Sequence, residues 1–351
     1  MKIRTYFNRI RVIKTKEYKS VFDFKTGYFL SFNKNNYSPF GPETLEIEIA
    51  KGNCPHKCKF CYRYNQNEES KNMSLTEFKT LIDKMPPTLT QISLGVTGIQ
   101  TNPDIESIID YCISKRIKPN ITITGIDLTD DFAKKIVPKL GGIGISVYEN
   151  KEELAFRTLE IIKKYGHKQV GFQIIISKET LDFTYRVINR FLASGTKIKP
   201  DHLVLITPKS VSGSSFTLLN KDEYRNLLEY CLHNKINIGM DQCSKPRLKK
   251  VVSESLINNI DSCECSFFTA FIDVHGNYWH CGFSEISNKE IHDKMNVFQV
   301  EKFEDIWESD TLKKLRKNIE DNIKDGCRLC PLFQSINEYE NDKDFVKQCQ
   351  Q

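Results

Sequence analysis

The sequence predicts an α/β protein: a partial (β/α)6 TIM-like barrel followed by a small C-terminal domain made of a β-hairpin plus a helix. Between residues 44 and 242, short apolar segments alternate with amphipathic segments, which is the pattern of parallel strands joined by helices. From residue 243 onward this alternation stops and cysteine becomes frequent. A length of 351 residues suits one large domain with a smaller appendage.

The N-terminal residues, 1–43, predict a β-hairpin cap on the barrel. Segments 20–24 and 28–32 are rich in aromatic and apolar residues. They flank Lys25-Thr26-Gly27, a sequence that favours a turn. The alternative for this segment is a small docking strand for a substrate.

The predicted barrel, residues 44–242, consists of six strand–helix units and a seventh strand. The strand candidates are 45–50, 91–94, 120–124, 143–147, 171–176, 202–206 and 236–240. The helix candidates include 74–84, 104–115, 129–137, 151–165 and 221–233, and Ser74 with Glu77 forms a capping-box pattern. In such barrels functional side chains collect at the carboxyl ends of the strands. A doubly wound sheet is the alternative architecture for the same alternation.

Composition excludes some classes of function. The chain carries 51 basic and 45 acidic residues, and the net charge of +6 is spread along the sequence, so no nucleic-acid partner is indicated. No apolar run approaches the length of about 18 residues that a membrane span needs. Twelve cysteines without a secretion signal favour metal or redox chemistry in the reducing cytoplasm over disulfides.

Three cysteines follow the first predicted strand at the spacing C-x3-C-x2-C: Cys54, Cys58 and Cys61. A loop this short can place three thiolates on one iron–sulfur cube, and iron prefers thiolate ligands. Three ligands leave one iron of a [4Fe–4S] cluster open to a small molecule, which is a catalytic arrangement. A zinc site is the alternative, with His56 as a conceivable further ligand.

This spacing, with the aromatic Phe60 before the last cysteine, resembles the signature of the radical S-adenosylmethionine (radical SAM) enzymes. The resemblance implies that S-adenosylmethionine (SAM) chelates the open iron and that Phe60 packs near its adenine. It also implies that an electron from the cluster cleaves SAM into methionine and a 5′-deoxyadenosyl radical, which abstracts a hydrogen atom from a substrate.

The second predicted strand leads into a glycine-containing loop where the resemblance implies a SAM contact. Radical SAM enzymes usually have Gly-Gly-Glu here, and its glutamate holds the methionine amino group. This sequence has Gly95 and Gly98, with Gly98 in the place of the glutamate. Backbone carbonyls of the loop, with Thr97 or Gln100, are then the predicted acceptors for that amino group.

Three further barrel residues are candidates. The resemblance implies that Ser146, after the fourth strand, contacts the SAM carboxylate or ribose, and Gln173 on the fifth strand is expected to line the same pocket. Cys243 follows the seventh strand. It has three alternatives: a ligand of a second cluster, a hydrogen-atom donor as in radical SAM peptide epimerases, or a small buried residue. Cys112 and Cys231 are expected in the core.

The C-terminal region, 243–351, predicts an iron–sulfur domain. A predicted strand–turn–strand places Cys281 beside Cys263 and Cys265, and a C-x2-C pair, Cys327 and Cys330, follows a helical segment. The pattern resembles the SPASM/twitch domains of radical SAM enzymes, here truncated, which implies one auxiliary [4Fe–4S] cluster. Either Cys263 or Cys265 satisfies the first spacing. A structural zinc site is the alternative.

Together these features predict a radical SAM enzyme that acts on a ribosomally made peptide or protein by cross-linking, oxidation or epimerisation. The auxiliary cluster would accept an electron from the product radical or anchor the substrate, and flavodoxin or ferredoxin would donate the first electron. Two alternatives remain: a radical enzyme acting on a small molecule or nucleoside, and a non-catalytic iron–sulfur carrier or scaffold. The choice of a peptide rests on analogy.

Overall fold

The computed structural model describes residues 1–33, 36–52, 54, 58, 61, 70–193, 198–208, 216–248, 251–252, 262–284 and 295–321. The predictions for Phe60, Cys327 and Cys330 lie outside these residues. The described strands form one sheet of ten strands, one of four and one of two.

The N-terminal residues form an antiparallel four-stranded sheet rather than a single hairpin. Its strands, in spatial order, are β1 (Lys2–Tyr6), β2 (Ile10–Lys14), β3 (Tyr18–Asp23) and β4 (Phe29–Asn33). The predicted hairpin is β3–β4. The sequence analysis missed β1 and β2. Every residue of β1 is exposed, so burial imposes no alternating apolar pattern on that strand.

The central sheet confirms the predicted partial barrel. Seven parallel strands are neighbours in chain order: β5 (Thr44–Glu48), β8 (Gln91–Gly95), β9 (Lys118–Ile123), β10 (Ile143–Ser146), β11 (Val170–Ile175), β12 (His202–Ile206) and β13 (Ile238–Met240). A two-stranded ribbon of β6 (Ala50–Lys51) and β7 (Lys71–Asn72) follows β5. This ribbon ends the predicted first strand two residues early.

Helices connect the strands on the outside of this sheet. They are α1 (Leu75–Asp83), α2 (Ile105–Ser114), α3 (Asp130–Ile136), α4 (Glu152–Lys164), α5 (Leu181–Leu192), α6 (Lys221–His233) and α7 (Lys245–Leu248). The predicted capping box is present, since Ser74 accepts from the amide of Glu77 and the Glu77 carboxylate accepts from the amide of Ser74. None of the helices in the described ranges combines the length and apolarity that crossing a membrane requires.

The two faces of the barrel strands differ in side-chain size. Ile92 and Leu94 of β8 are buried on the helix-facing side, whereas Ser93 and Gly95 of the same strand face the barrel interior. Thr122 of β9 continues this small, polar interior. Small interior side chains leave the barrel unfilled, and this space becomes the cavity of the candidate site.

The C-terminal region extends the barrel sheet. The predicted hairpin is present as β14 (Thr269–Ile272) and β15 (Asn277–Trp279), followed by β16 (Met295–Asn296). β14 also pairs in parallel with β5, the first barrel strand. The sequence predicted the hairpin but not this pairing, which joins the two ends of the described fold through one sheet; the domain boundary at residue 243 stays a prediction.

The predicted C-terminal helix consists of two helices, α8 (Glu304–Trp307) and α9 (Asp310–Asp321). Trp307 is fully buried, and its indole N–H donates to the carbonyl of Ser38 (2.7 Å). The guanidinium of Arg316 stacks between Trp307 and Tyr37 and donates to the carbonyl of Ser266 (2.6 Å). These contacts hold α9 against both the segment before β5 and the segment before β14.

The N-terminal sheet covers the amino-terminal end of the barrel. Arg11 of β2 donates to the carbonyl of Leu89, just before β8, and Gln169, just before β11, donates to the carbonyl of Thr26. Lys118, the first residue of β9, lies over the ring of Phe24. The predicted cap is therefore at the end of the barrel opposite the carboxyl ends of its strands.

Glu43, which bonds to this sheet, predicts a pH-dependent stability. Its carboxyl accepts from the hydroxyls of Tyr18 (2.7 Å) and Ser31 (3.3 Å), and burial raises its pKa from 4.5 to about 7. Because the folded state retains a proton that the unfolded chain releases, stability falls as pH rises between these two pKa values. The free energy of unfolding is measured with urea at about pH 4.5 and at about pH 8. We expect Glu43→Gln to remove most of the difference between these two values. The exposed Glu160→Gln is the control, and an unchanged pH dependence in Glu43→Gln would refute the assignment.

Candidate active site

A cavity of about 560 Å³ opens at the carboxyl ends of the barrel strands. The last residues of six strands line it: Glu48, Gly95, Ile123, Ser146, Ile175 and Ile206. Cys54, Cys58 and Cys61 border the same space, and so do Phe271 of β14 and Phe283 from the C-terminal region. The structure thus brings together residues from the barrel, the cysteine loop and the C-terminal region.

The three cysteines of the loop point to a shared ligand. All three are partly buried, and the thiol of Cys54 lies 3.4 Å from the carbonyl oxygen of Thr97. The amide of Cys61 donates to the carbonyl of Cys58, which closes a tight turn between them. Burial, followed by the charges of Cys61 and Cys54, raises the pKa of the Cys58 thiol. A positively charged centre bound to the three thiolates would reverse that effect.

The donor chemistry of this set fits an iron–sulfur cluster. Three thiolates border a cavity that has room for a further ligand on their open side. Among the residues that the structure describes, no three His, Cys, Asp or Glu side chains are already placed to hold a single metal ion. The fit to a cluster therefore rests on the donors and the cavity beside them.

The loop after β8 is held by a carboxylate that the sequence analysis missed. Asp127 accepts from the amides of Ile99 (3.0 Å) and Gln100 (2.8 Å). A Cβ atom on Gly98 would lie 2.6 Å from Asp127 Oδ2, so a glutamate does not fit at this position without displacing that carboxylate. A side chain at Gly98 would therefore compete for space with the carboxylate that holds the loop. The signal was the acidic residue in the Gly125-Ile126-Asp127 turn, which the sequence analysis left unused.

The loop residues have different surroundings. Gly95, Thr97 and Gly98 line the cavity, and the carbonyl of Thr97 faces the cysteine set. Gln100 is exposed, is not among the lining residues, and donates to the carbonyl of Asp127. The structure therefore brings Gly95, Thr97 and Gly98 to the cavity but not Gln100.

Two glutamates of β5 face the cavity, and the sequence analysis missed both. Glu46 and Glu48 alternate with the buried Leu45 and Ile47, so they share the interior face. Glu48 is buried, pairs in register with Gly95, and accepts from the amide of Val274 (3.4 Å). The alternation Leu-Glu-Ile-Glu-Ile was the available signal. Glu46 and Glu48 are the only charged side chains among the described residues that line the cavity.

Ser146 and Gln173 both line the cavity. Gln173 donates to the hydroxyl of Thr122 (3.3 Å) across the sheet. Ser146 hydrogen-bonds to Tyr148, and burial together with the charge of Cys58 raises the pKa of the Tyr148 phenol, so this phenol stays protonated. These residues supply hydroxyl and amide groups opposite the glutamates, and their roles as cofactor contacts stay predictions.

Cys243 lies apart from the cavity lining. It is exposed in the short turn Gln242–Ser244, so the alternative of a small buried residue is wrong. The neighbouring Gln242 accepts from the amide of Glu264 (3.1 Å), which brings this turn to the loop of the C-terminal cysteines. In contrast, Cys112 and Cys231 are fully buried on α2 and α6, which confirms them as core residues.

The C-terminal hairpin brings a second set of cysteines together. Cys265 hydrogen-bonds to both Cys263 and Cys281, and these bonds, with burial, raise the pKa of its thiol well above the usual value. The prediction that Cys281 lies beside the other two is confirmed. Both Cys263 and Cys265 are at the site, so the structure keeps both as candidate ligands.

A buried polar network supports this second set. The hydroxyl of Ser266 bonds to the phenol of Tyr278 (2.5 Å) and to Nδ1 of His280 (2.8 Å). Arg316 donates to the carbonyl of Ser266, next to Cys265 in the chain. These bonds fix the backbone on either side of the cysteines. They also engage Nδ1 of His280 in a hydrogen bond, so this nitrogen is not placed as a metal ligand.

Two protein-family models match this chain, one in the barrel and one in the C-terminal region. Residues 50–207 match the model of the radical SAM superfamily, and residues 263–331 match the model of SPASM, an iron–sulfur cluster-binding domain. No curated protein matches the sequence.

Solved structures share the fold at low sequence identity. Streptococcus suis SuiB bound to the precursor peptide SuiA is 15% identical, with a TM-score of 0.63 over 80% of this chain and 67% of that one. Another structure of SuiB is 12% identical, with a TM-score of 0.65 over 88% and 89%. The protein anSMEcpe with bound AdoMet and the Cp18Cys peptide is 13% identical, with a TM-score of 0.61 over 88% and 95%. At these identities the likeness shows a common fold.

Proposed function

Since this chain is a radical SAM enzyme with a SPASM-type iron–sulfur domain, we propose that it modifies a ribosomally made peptide or protein. Its cofactors are SAM, a [4Fe–4S] cluster and an auxiliary iron–sulfur cluster. Cross-linking, oxidation and epimerisation are the reaction types that we consider. When bound, the first cluster and SAM supply an organic radical that removes a hydrogen atom from the substrate.

One observation carries the proposal: a single cavity joins the cysteine loop to the C-terminal region. Cys54, Cys58 and Cys61 line it together with Phe271 and Phe283 of the C-terminal region. The aromatic rings offer apolar contact to a substrate side chain and exclude water from the reacting atoms. The two peptide complexes with this fold, those of SuiB and anSMEcpe, support a peptide as the substrate.

Within this cavity, we assign the cofactor contacts residue by residue. Cys54, Cys58 and Cys61 hold the first cluster, and Ser146 and Gln173 supply hydrogen bonds to SAM from the opposite wall. The carbonyl of Thr97 and the carboxylate of Glu48 accept from its ammonium group, in place of the missing glutamate. Glu48 is the better candidate than Gln100, because it lines the cavity and Gln100 does not.

We also assign the remaining cysteines and the electron donor. Cys263, Cys265 and Cys281, with Cys327 and Cys330, are the proposed ligands of the auxiliary cluster. Cys243, which is exposed, is proposed as a hydrogen-atom donor or a cluster ligand. Flavodoxin or ferredoxin is the proposed electron donor, in a reducing cytoplasm where the cysteines stay as thiols.

Deuterium transfer tests the proposed function. Cells that naturally make this enzyme are grown in heavy water, and their peptides and small metabolites are prepared as separate fractions. Each fraction is then added to the reconstituted enzyme with SAM and dithionite. We expect deuterium in 5′-deoxyadenosine with the peptide fraction only. Deuterium from the metabolite fraction alone would assign a small molecule or nucleoside instead. If no fraction yields 5′-deoxyadenosine, the chain is a non-catalytic carrier.

Gly98 provides a prediction about SAM binding itself. In Gly98→Ala the new Cβ displaces Asp127, which releases the amides of Ile99 and Gln100 and shifts the loop. We expect SAM affinity, measured by calorimetry on the reconstituted protein, to fall about tenfold. The control is Gly142→Ala, whose Cβ would meet no atom closer than 3.6 Å. Equal SAM affinity in Gly98→Ala and wild type would show that the loop does not bind SAM.

A further inference from the structure

We propose that the N-terminal sheet binds an acidic, extended segment of the polypeptide substrate, which adds as a strand to the free edge of β1. This inference rests on the proposed function in taking a polypeptide as substrate. It concerns a surface at the end of the barrel opposite the cavity, and none of the residues that carry it lines the cavity.

Exposed apolar side chains concentrate on this sheet. Of the ten large apolar side chains that are most exposed in the described part of the chain, seven belong to its first 33 residues: Met1, Ile3, Tyr6, Phe7, Tyr28, Leu30 and Phe32. Leu30 and Phe32 of this set lie on the side of the sheet that faces away from the barrel, where exposed apolar residues are typical of an interaction surface. Scattered single apolar residues on the rest of the surface need no such explanation.

Strand register arranges two cross-strand rows on the outer face of the sheet. The inner face carries the buried Ile13 and Phe22 and packs on the barrel. On the outer face, neighbouring residues run across the four strands as Arg4–Val12–Val21–Leu30 and Lys2–Lys14–Lys19–Phe32. The first, mainly apolar row has Arg4 at its β1 end, and it borders a mainly basic row that has Phe32 at its β4 end. We call the surface formed by these eight residues the outer face.

The charge of the outer face selects an acidic partner. Lys2, Arg4, Lys14 and Lys19 are exposed, and none of them forms an ion pair with another described residue. Asp23, which strand alternation places on the same side of the sheet, is bound by Arg9. An acidic partner would therefore meet uncompensated positive charge.

The edge of the sheet selects an extended partner. β1 pairs only with β2 among the described strands, and all five of its side chains are exposed. Its outward backbone groups can pair with an added strand. A second copy is disfavoured, because antiparallel self-pairing centred on Arg4 would set this cation against its own counterpart. Acidic side chains on the added strand would instead face Lys2 and Arg4.

Position makes the surface a tether rather than a part of the reaction site. The barrel strands of five or six residues are about 17–20 Å long, and the sheet and the cavity lie at opposite ends of them. A substrate held here by one segment presents its remaining residues to the cavity at raised effective concentration.

Fluorescence anisotropy with a defined probe tests the inference on the full-length, reconstituted protein. The probe is a labelled peptide of about ten residues in which Glu and Val alternate, as in a strand with one acidic face. We expect saturable binding that weakens with added salt. A peptide with N-methyl groups on alternate residues keeps the charge but loses strand pairing, and a Gln–Val peptide loses the charge; both should bind at least about tenfold more weakly.

Protein variants locate the binding. Lys2→Glu with Arg4→Glu should lower affinity for the Glu–Val probe at least about tenfold. The control pair, Lys134→Glu with Arg157→Glu, makes the same change in net charge on exposed helical residues and should change affinity less than about twofold. Leu30→Asn, on the apolar row, should also weaken binding. Equal loss in the control pair would overturn the proposal.

The remaining outcomes are equally decisive. No binding of the Glu–Val probe, or equal binding of its N-methylated form, overturns strand addition. A dimer that Lys2→Glu with Arg4→Glu dissociates would assign the edge to a second copy. Because the binding measurement needs no turnover, it can succeed while the deuterium-transfer test fails, and the reverse, so the two proposals fail separately.

Discussion

Replacing Cys54, Cys58 and Cys61 together with alanine is expected to abolish 5′-deoxyadenosine formation and to halve the iron content. The wild type should hold about eight irons after anaerobic reconstitution and the variant about four, because one of two clusters loses all its protein ligands. The physical reason is that no other described residue of the cavity offers a thiolate to the first cluster. Iron and sulfide analysis and a dithionite assay for 5′-deoxyadenosine measure both effects.

The control for this variant is another cysteine with a different environment. Cys231 is fully buried on α6, and burial raises its pKa to about 11, so it is a poor ligand. Cys231→Ala should keep the iron content and the activity of the wild type, at some cost in stability. Full iron in the triple variant would refute the assignment of the first cluster to the loop.

The second large effect is expected at Cys265. Cys265→Ala should remove about four irons, leave SAM cleavage in place and abolish the modified product, because the first cluster and its cavity stay intact. Cys265 is the choice because its thiol contacts both Cys263 and Cys281. Metal analysis, 5′-deoxyadenosine yield and mass spectrometry of a peptide substrate separate these three effects.

Two comparisons sharpen the Cys265 prediction. Cys263→Ala tests the neighbouring candidate: if it loses the iron and Cys265→Ala does not, Cys263 is the ligand. Cys112→Ala, in the core of α2, controls for the loss of a buried thiol. About one zinc per chain in the wild type, with about four irons in total, would show that the C-terminal set is a structural zinc site.

The pairing of β14 with β5 affects how substrate specificity can be changed. It places Phe271 on the cavity wall, next in register to Glu46. The C-terminal region therefore contributes directly to the wall of the cavity, beside carboxylates of the first barrel strand. Differences in this region alter the cavity even when the cysteine loop is the same.

Sequence patterns predicted the parts of the site that depend on short spacings. Cys54, Cys58 and Cys61 lie within eight residues, and a segment this short keeps their thiols close together in most backbone conformations. The hairpin that returns Cys281 to Cys265 follows from a tight turn at Gly276, whose φ of +84° suits glycine. Alternation of apolar and polar residues predicted the strands, because each has one face buried under helices.

Contacts between residues distant in the chain were not predictable in this way. Asp127 lies 29 residues after Gly98, and its hydrogen bonds exist only because β8 and β9 are adjacent and parallel. Glu48 and Gly95 are likewise neighbours only because β5 and β8 pair in parallel. A side chain at Gly98 would meet the Asp127 carboxylate, a contact that the local sequence does not reveal.

By itself, the sequence determined the class of this protein: a partial barrel, a three-cysteine loop after its first strand and a cysteine-rich C-terminal region. These features are local, since each arises from periodicity or spacing over a few residues. Only the tertiary structure decided that the C-terminal hairpin extends the barrel sheet and that Glu46, Glu48 and Asp127 belong to the site. It also placed the N-terminal sheet at the far end of the barrel. Those arrangements depend on which strands become neighbours, and strand order is set by the packing of the whole chain rather than by any one segment.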